Sequence, residues 1–176
     1  MRTKAEEIGP KFEVYFLHIN NRMALADELQ LALKILIAFF LGAVIGYDRE
    51  RDGVSAGIRT YAAVCLGSAL FTDIGENLND VAASSRIIST IISGIGFLGA
   101  GIIFKNEKTN TASGLTTAAT IWCTAGVGVA IGMDMYIIAL VATAAVYFLL
   151  VLHKFPWYKK WQESIKPKDN HFKDPD

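Results

Sequence analysis

Cysteine and histidine are scarce in this 176-residue chain, which contains two Cys and three His. Cys65 and Cys123 both lie inside apolar runs, and neither belongs to a C-x-x-C motif or a His/Cys cluster. This pattern excludes a disulfide-rich scaffold and a thiolate zinc site. We therefore expect two reduced, packed thiols, with no bound metal and no cofactor.

Net charge is also absent, because 17 basic residues balance 17 acidic residues. A chain without a basic field is not expected to bind nucleic acid. The sequence contains no paired acid and base and no activated nucleophile in a pattern typical of a catalytic pocket. We therefore expect a protein that is not an enzyme.

Charged residues are rare within the apolar runs, although 19% of all residues are charged and 52% are hydrophobic. Uncharged runs of this length are typical of a polytopic membrane protein. The sequence predicts an all-α bundle of five transmembrane helices in a domain at 29–153, after a polar leader at 1–28 and before a basic, aromatic tail at 154–176. Asp27 and Gln30 resemble a capping box that opens the first span. The predicted spans are Leu29 to Tyr47, Thr60 to Thr72, Ile87 to Phe104, Ala112 to Met133 and Met135 to Leu152.

The second run is short, about 20 Å as a helix, against a hydrocarbon core of about 30 Å. A charged residue must therefore move toward the lipid, and the candidates are Arg59 at one end of the run and Asp73 at the other. We expect Arg59 to form a partly buried pair with Asp48 or Glu50. The alternative, an ordinary solvated charge cluster in a loop, is equally compatible with the spacing. The acids from Asp73 onward are expected to be solvated in a connection that ends at Arg86.

Lys34 is a single charge within the first apolar run. We expect its long side chain to reach the near membrane interface, and the alternative is a pair with an acid on a neighbouring helix.

The segment from Ser93 to Gly101 contains four glycines in nine residues within an uncharged run. A soluble phosphate-binding loop would need a preceding strand, whereas in lipid a helix is the favoured structure for such a run. Small residues four positions apart allow helices to approach closely, so we expect this span at the centre of the bundle. The predicted packing residues are Gly94, Gly96, Gly99 and Gly101, and a second stripe in the first span comprises Ala38, Gly42 and Gly46.

Most of the 17 basic residues lie on one side of a five-span arrangement, in two loops and the tail. The positive-inside rule then places the carboxyl terminus in the cytoplasm and the amino terminus outside. A four-span form, in which the second run does not cross, separates the charges equally well. Charge counting therefore does not decide between the two forms.

Five motifs follow one another along the chain: Gly46-Tyr47-Asp48-Arg49-Glu50, Ala56-Gly57-Ile58-Arg59-Thr60, Leu66-Gly67-Ser68-Ala69-Leu70-Phe71, Ser93 to Gly101, and Gly114 to Trp122. In their order and spacing these motifs resemble the MgtC/SapB family of bacterial inner-membrane proteins. The resemblance implies five spans, an external amino terminus and a cytoplasmic carboxyl terminus. Family members are associated with adaptation to low magnesium and survival inside macrophages, and one branch with restraint of the F-type ATP synthase.

The resemblance also implies which residues are functional, although this chain departs from the family pattern at some positions. Asp48 stands where the family usually has Glu, Ser113 stands where many members have Arg, and no counterpart of a soluble carboxyl-terminal domain is expected. We expect a regulator of magnesium or energy homeostasis, associated with virulence, that binds a membrane protein such as the F-type ATP synthase or a second copy of itself. The alternative is a carrier or channel for Mg²⁺ or another cation. The charged signature is Asp48, Arg49, Glu50 and Arg59, and the fourth-span motif includes Thr116, Thr117, Trp122 and Cys123.

Overall fold

The computed structural model describes residues 25–78, 80–106 and 111–165, and these residues form a helical bundle. The all-α class predicted from the sequence is confirmed. A short antiparallel hairpin of β1 (Phe104–Asn106) and β2 (Thr111–Ser113) joins two of the helices. The helices are α1 (Leu25–Arg51), α2 (Ile58–Asn77), α3 (Val81–Ile102), α4 (Leu115–Gly132), α5 (Tyr136–Val151) and α6 (Pro156–Ile165).

The structure tests the predicted leader and tail only in part. Most of the leader and the tail beyond Ile165 lie outside the described residues. Helix α1 already includes Leu25, so Asp27 lies inside the helix and does not open it. At the other end, a 3-10 turn at Leu152–Lys154 leads into α6, and Pro156 is the first residue of that helix, where its missing N–H costs nothing.

Four helices, α1, α3, α4 and α5, are long and apolar enough to cross a membrane. Helix α2 has 20 residues and is about 30 Å long, but it is not among these four. It continues through Asp73 to Asn77, so the run of Thr60 to Thr72 underestimated its length. The chain is a membrane protein, and its described helices provide four or five spans according to whether α2 crosses.

The centre of the bundle is α4, and the prediction that the glycine-rich span occupies it is wrong. In α4, 56% of the span is buried inside the protein, against 11% in α3. The buried residues of α3 are Ser84, Ile95 and Gly99. Small residues therefore do make the close helix contacts of this fold, but they lie on other helices.

Helix α2 is held between α1 and α4 by glycines on both neighbours. A Cβ atom on Gly42 would lie 2.6 Å from the Tyr61 carbonyl oxygen, and one on Gly46 would lie 2.7 Å from Ile58 Cα. On the other side, a Cβ on Gly128 would collide with the Cys65 carbonyl oxygen. The predicted stripe of Ala38, Gly42 and Gly46 is thus confirmed, because all three are buried. Backbones at this distance gain van der Waals contact that larger side chains would prevent.

Apolar side chains fill the remaining interior in two layers. One layer surrounds Tyr61 and Ile121, and the other surrounds Cys65 and Val127. Cys65 is buried and Cys123 is partly buried, and both are free thiols as the sequence predicts. Among the described residues, no three or more His, Cys, Asp or Glu side chains cluster so that they could hold a metal ion.

The α3–α4 connection depends on Gly114. Its φ angle is +87°, in the left-handed region, and a Cβ atom there would collide with the carbonyl oxygen of Ile102. Glycine is the residue that accepts both constraints. The fourth helix consequently begins at Leu115, three residues after the predicted start at Ala112.

Candidate functional site

Two clusters of charged side chains lie at opposite ends of α1, about 21 Å apart along the helix. The first, the Lys34 cluster, comprises Lys34, Asp73 and Asp134. The Lys34 ammonium lies 2.6 Å from Asp73 Oδ1 and 2.8 Å from Asp134 Oδ2. Lys34 and Asp73 are both buried, at 6% and 3% exposure. One lysine thus ties α1 to α2 and to the α4–α5 turn.

The α4–α5 turn positions the second carboxylate of this cluster. Asp134 has a φ angle of +60°, and its other oxygen accepts a 2.8 Å hydrogen bond from the Tyr136 hydroxyl. Partial burial acts to raise the pKa of Asp134, but the hydrogen bonds from Lys34 and Tyr136 outweigh burial, so the pKa lies below its ordinary value. Asp134 is therefore ionised at neutral pH.

The Lys34 cluster corrects two expectations from the sequence. Lys34 pairs with acids on neighbouring elements, which was the alternative to reaching the interface. Asp73 was expected in a solvated connection, with inward movement as the other possibility, and the structure shows that it lies within α2 and is buried. A buried carboxylate is costly unless it is paired, and Lys34 removes that cost.

The second group, the Asp48 cluster, comprises Asp48, Asp52 and Lys154. The Lys154 ammonium lies 2.5 Å from Asp48 Oδ1 and 3.1 Å from Asp52 Oδ1. Asp48 is 3% exposed, and its second oxygen has no hydrogen-bond partner among the described residues. Residues 106 positions apart thereby join the end of α1 to the turn that follows α5.

Arg49, the second residue of the charged signature, connects α1 to α4. One of its guanidinium nitrogens donates a 3.1 Å hydrogen bond to Thr117 Oγ1. One turn further along α4, Thr120 Oγ1 lies 2.6 Å from the Tyr61 hydroxyl, which comes from α2. The polar side chains of α4 therefore connect three helices.

Glu50 closes the loop between α1 and α2. Its Oε2 atom accepts a 2.9 Å hydrogen bond from the backbone N–H of Ile58, the first residue of α2. A Cβ atom on Gly57 would lie 2.7 Å from the same oxygen, so glycine makes room for this carboxylate. Glu50 thus supplies the cap that Gly57 lacks.

Arg59 does not join the other three residues of the signature. Its side chain is exposed, and within the part of the chain that the structure describes it forms no ion pair. Asp48 binds Lys154, and Glu50 binds the start of α2. The expected pair between Arg59 and these acids is therefore wrong, because helix α2 begins at Ile58 and leaves the Arg59 side chain exposed.

The glycines of α3 are mostly open to the surroundings. A Cβ atom on Gly94, Gly96 or Gly101 would meet nothing within 4 Å, whereas one on Gly99 would make an ordinary 3.6 Å contact with Ala118. Gly94, Gly96 and Gly101 are thus not packing residues within this chain. A row of exposed small residues follows one face of the helix, and we name it the α3 stripe. It consists of Ala82, Ser85, Ser89, Ser93, Gly96 and Ala100.

The residues of the fourth-span motif occupy different environments. Thr117 is buried and accepts a hydrogen bond from Arg49. Thr116 is exposed, and its carbonyl oxygen accepts a hydrogen bond from the Thr120 hydroxyl. Trp122 is 51% exposed, and Cys123 is partly buried. The structure therefore does not gather this motif into one site.

Sequence reasoning missed the partners of both clusters. Lys154 was assigned to the basic, aromatic tail, and no spacing rule connects it with Asp48. Lys34 offered a signal, because a charge within an apolar span usually has a partner in the bundle interior. The identity of that partner depends on how the helices pack.

The comparisons with known proteins agree with the resemblance. The chain belongs to the MgtC family, whose pattern it matches over residues 35–156. It is 35% identical to protein SrpB of Synechococcus elongatus, over 85% of this chain and 95% of SrpB. It is 46% identical to protein MgtC of Brucella abortus over 60% of this chain, and 45% identical to MgtC of Salmonella typhimurium over 63%. These matches span 44% and 47% of the two MgtC proteins. No solved structure matches the chain.

Proposed function

We propose that this protein regulates magnesium or energy homeostasis in a bacterium by binding a partner protein within the cytoplasmic membrane. Family membership supports the link to magnesium, because two of the relatives are MgtC proteins. In this proposal the amino terminus is outside and the carboxyl terminus is cytoplasmic, as the basic residues indicate.

The observation that carries the proposal is the α3 stripe. Glycine within a helix is less stable than alanine, so it is expected where another backbone approaches closely. The glycines of α1 and α4 meet this condition, because α2 packs against them. The stripe has the same spacing of three and four residues but faces away from the bundle. A transmembrane helix from another protein would bury it through the kind of contact that α2 makes with its neighbours.

The charged clusters support a structural role over ion transport. Asp48 and Asp73 are buried acids, and each is bonded to a lysine ammonium at 2.5 and 2.6 Å. Their charges are thus engaged in holding helices together. The F-type ATP synthase is the candidate partner that the family resemblance suggests, and a second copy of the chain is another.

A cation carrier is the second candidate, and the Lys34 cluster is the observation that favours it. Two carboxylates, Asp73 and Asp134, face one ammonium, and charged groups within membrane helices often mark ion pathways. A carrier would have to displace Lys34 to expose both acids. Measurement of Mg²⁺ flux in proteoliposomes separates the candidates, since a regulator gives no flux above empty vesicles.

The experiment that tests the regulator is complementation of a deletion strain in low magnesium. Gly96→Leu places a large side chain on the stripe and should abolish complementation. Gly101→Leu is the matched control, because it adds the same side chain to open space on the same helix, off the stripe. Normal growth with Gly96→Leu, at normal protein levels, would overturn the proposal.

A further inference from the structure

An open groove lies between α2 and α3, on the opposite face of α3 from the stripe. It is a cavity of about 610 Å³ whose walls are almost entirely apolar. Ala63, Gly67 and Phe71 line it on α2, and Ile87, Gly94 and Leu98 line it on α3. A Cβ atom on Gly67 or Gly94 would meet nothing within 4 Å, so the part of the chain that the structure describes leaves the groove unfilled. In a membrane a space of this kind must hold lipid or another helix.

The length of the groove favours lipid. It extends about 12 Å along α2, from Ala63 to Phe71, and about 17 Å along α3, from Ile87 to Leu98, which is close to the depth of one leaflet in a hydrocarbon core of about 30 Å. A transmembrane helix would require a contact surface through both leaflets. One acyl chain entering from the nearer surface matches the observed extent.

Arg59, which carries a positive charge, precedes Ala63, the first groove residue on α2, by one helical turn. Arg59, Ala63, Gly67 and Phe71 follow one another at intervals of four residues, so they form one ridge on α2. Arg59 is the first of them, in the first turn of the helix, and its side chain is exposed. Among the described residues it has no ion-pair partner, while the nearby acids Asp48 and Glu50 are bonded elsewhere.

We propose that the α2–α3 groove binds a phospholipid with an anionic headgroup, its acyl chain between Gly67 and Gly94 and its phosphate on Arg59. A guanidinium binds phosphate through two parallel hydrogen bonds. Anionic headgroups are also concentrated at the cytoplasmic surface, where the proposed topology places Arg59. The groove and the α3 stripe are thus separate sites, for lipid and for protein.

Native mass spectrometry tests the headgroup preference, with the full chain equilibrated in a mixture of phosphatidylglycerol and phosphatidylcholine. The protein should retain phosphatidylglycerol preferentially, and Arg59→Gln should reduce that preference about fivefold to tenfold. Arg51→Gln is the matched control, because it removes an exposed charge of the same type away from the groove. Equal losses in the two variants, or no preference in the parent protein, would overturn the proposal.

Gly94→Leu and Gly96→Leu test the groove itself. Both glycines have open space around them and lie two residues apart on opposite faces of α3, so both variants should fold. Gly94→Leu should lower the occupancy of both lipids, and Gly96→Leu should leave it unchanged. A photoreactive residue at Ala63 should form adducts with lipid. Unchanged lipid occupancy in Gly94→Leu, or an adduct with a protein at Ala63, would contradict the assignment.

Discussion

The Nζ atom of Lys34 lies 2.6 Å from a carboxylate oxygen of Asp73, although the two residues are 39 positions apart. Both side chains are buried, and the same ammonium also reaches Asp134 and the carbonyl oxygen of Gly132. All three donors of Lys34 are thereby used. The Lys34–Asp73 pair links helices toward one end of the bundle, and the Asp48–Lys154 pair links helices at the other end.

Removal of Lys34 should strongly destabilise the protein. Lys34→Met leaves Asp73 buried without its cation, and breaking a buried pair in this way costs about 3–5 kcal/mol. Thermal unfolding in detergent measures the loss. Lys160→Met, at an exposed position in α6, is the control and should have little effect. A Lys34→Met protein as stable as the control would show that the pair contributes no stability.

Stability should decrease in acid through Asp134. Its pKa in the folded protein lies below its ordinary value, so ionisation of Asp134 stabilises the fold above the ordinary pKa. That contribution is lost as the pH falls through the lowered pKa. Unfolding measured between pH 3 and about pH 7 should show a smaller acid loss in Asp134→Asn than in the parent protein. Parallel pH profiles for the two proteins would contradict this role.

The close contact between α2 and α4 should tolerate no added methyl group. Gly128→Ala places a Cβ atom against the Cys65 carbonyl oxygen and should cost about 1–3 kcal/mol or more. Gly126→Ala is the matched control on the same helix, since its Cβ atom would meet nothing within 4 Å. The difference in unfolding temperature between the two variants is the measurement. Equal temperatures would show that this contact is looser than the structure indicates.

Lys154, and not Arg59, should determine how much folded protein accumulates, because Lys154 pairs with the buried Asp48. Lys154→Ala leaves Asp48 buried and unpaired, whereas Arg59→Ala removes an exposed side chain. Membrane levels should fall for the first variant and remain normal for the second. The exchange Asp48→Lys with Lys154→Asp should restore part of the level, and the absence of any recovery would exclude a direct pair.

A topology measurement should settle the role of α2. Reporters placed after Asn79 and after Asp176 should lie on opposite sides of the membrane if α2 crosses, with the second in the cytoplasm. Both reporters on one side would establish the four-span form. The buried Lys34–Asp73 pair favours crossing, because it places the polar end of α2 beside a spanning helix.

The sequence predicted the helical class, the apolar spans and the seam of Gly42 and Gly46, because hydropathy and small-residue spacing are local patterns. It did not predict which helix is central, since α3 and α4 are both uncharged through most of their length. Gly96 and Gly128 have the same chemistry, yet only Gly128 meets another backbone. Partners of Lys34 and Lys154 depend on how distant segments pack, which no local spacing reveals.

Site-specific photo-cross-linking in native membranes tests the central claim, that the α3 stripe binds a partner protein, most directly. A photoreactive residue at Ser93 should give an adduct with one defined membrane protein, and Gly96→Leu should abolish it. The same residue at Ala144, exposed on α5, should give only lipid adducts. Lipid adducts alone at Ser93, or an adduct that persists in Gly96→Leu, would contradict the account.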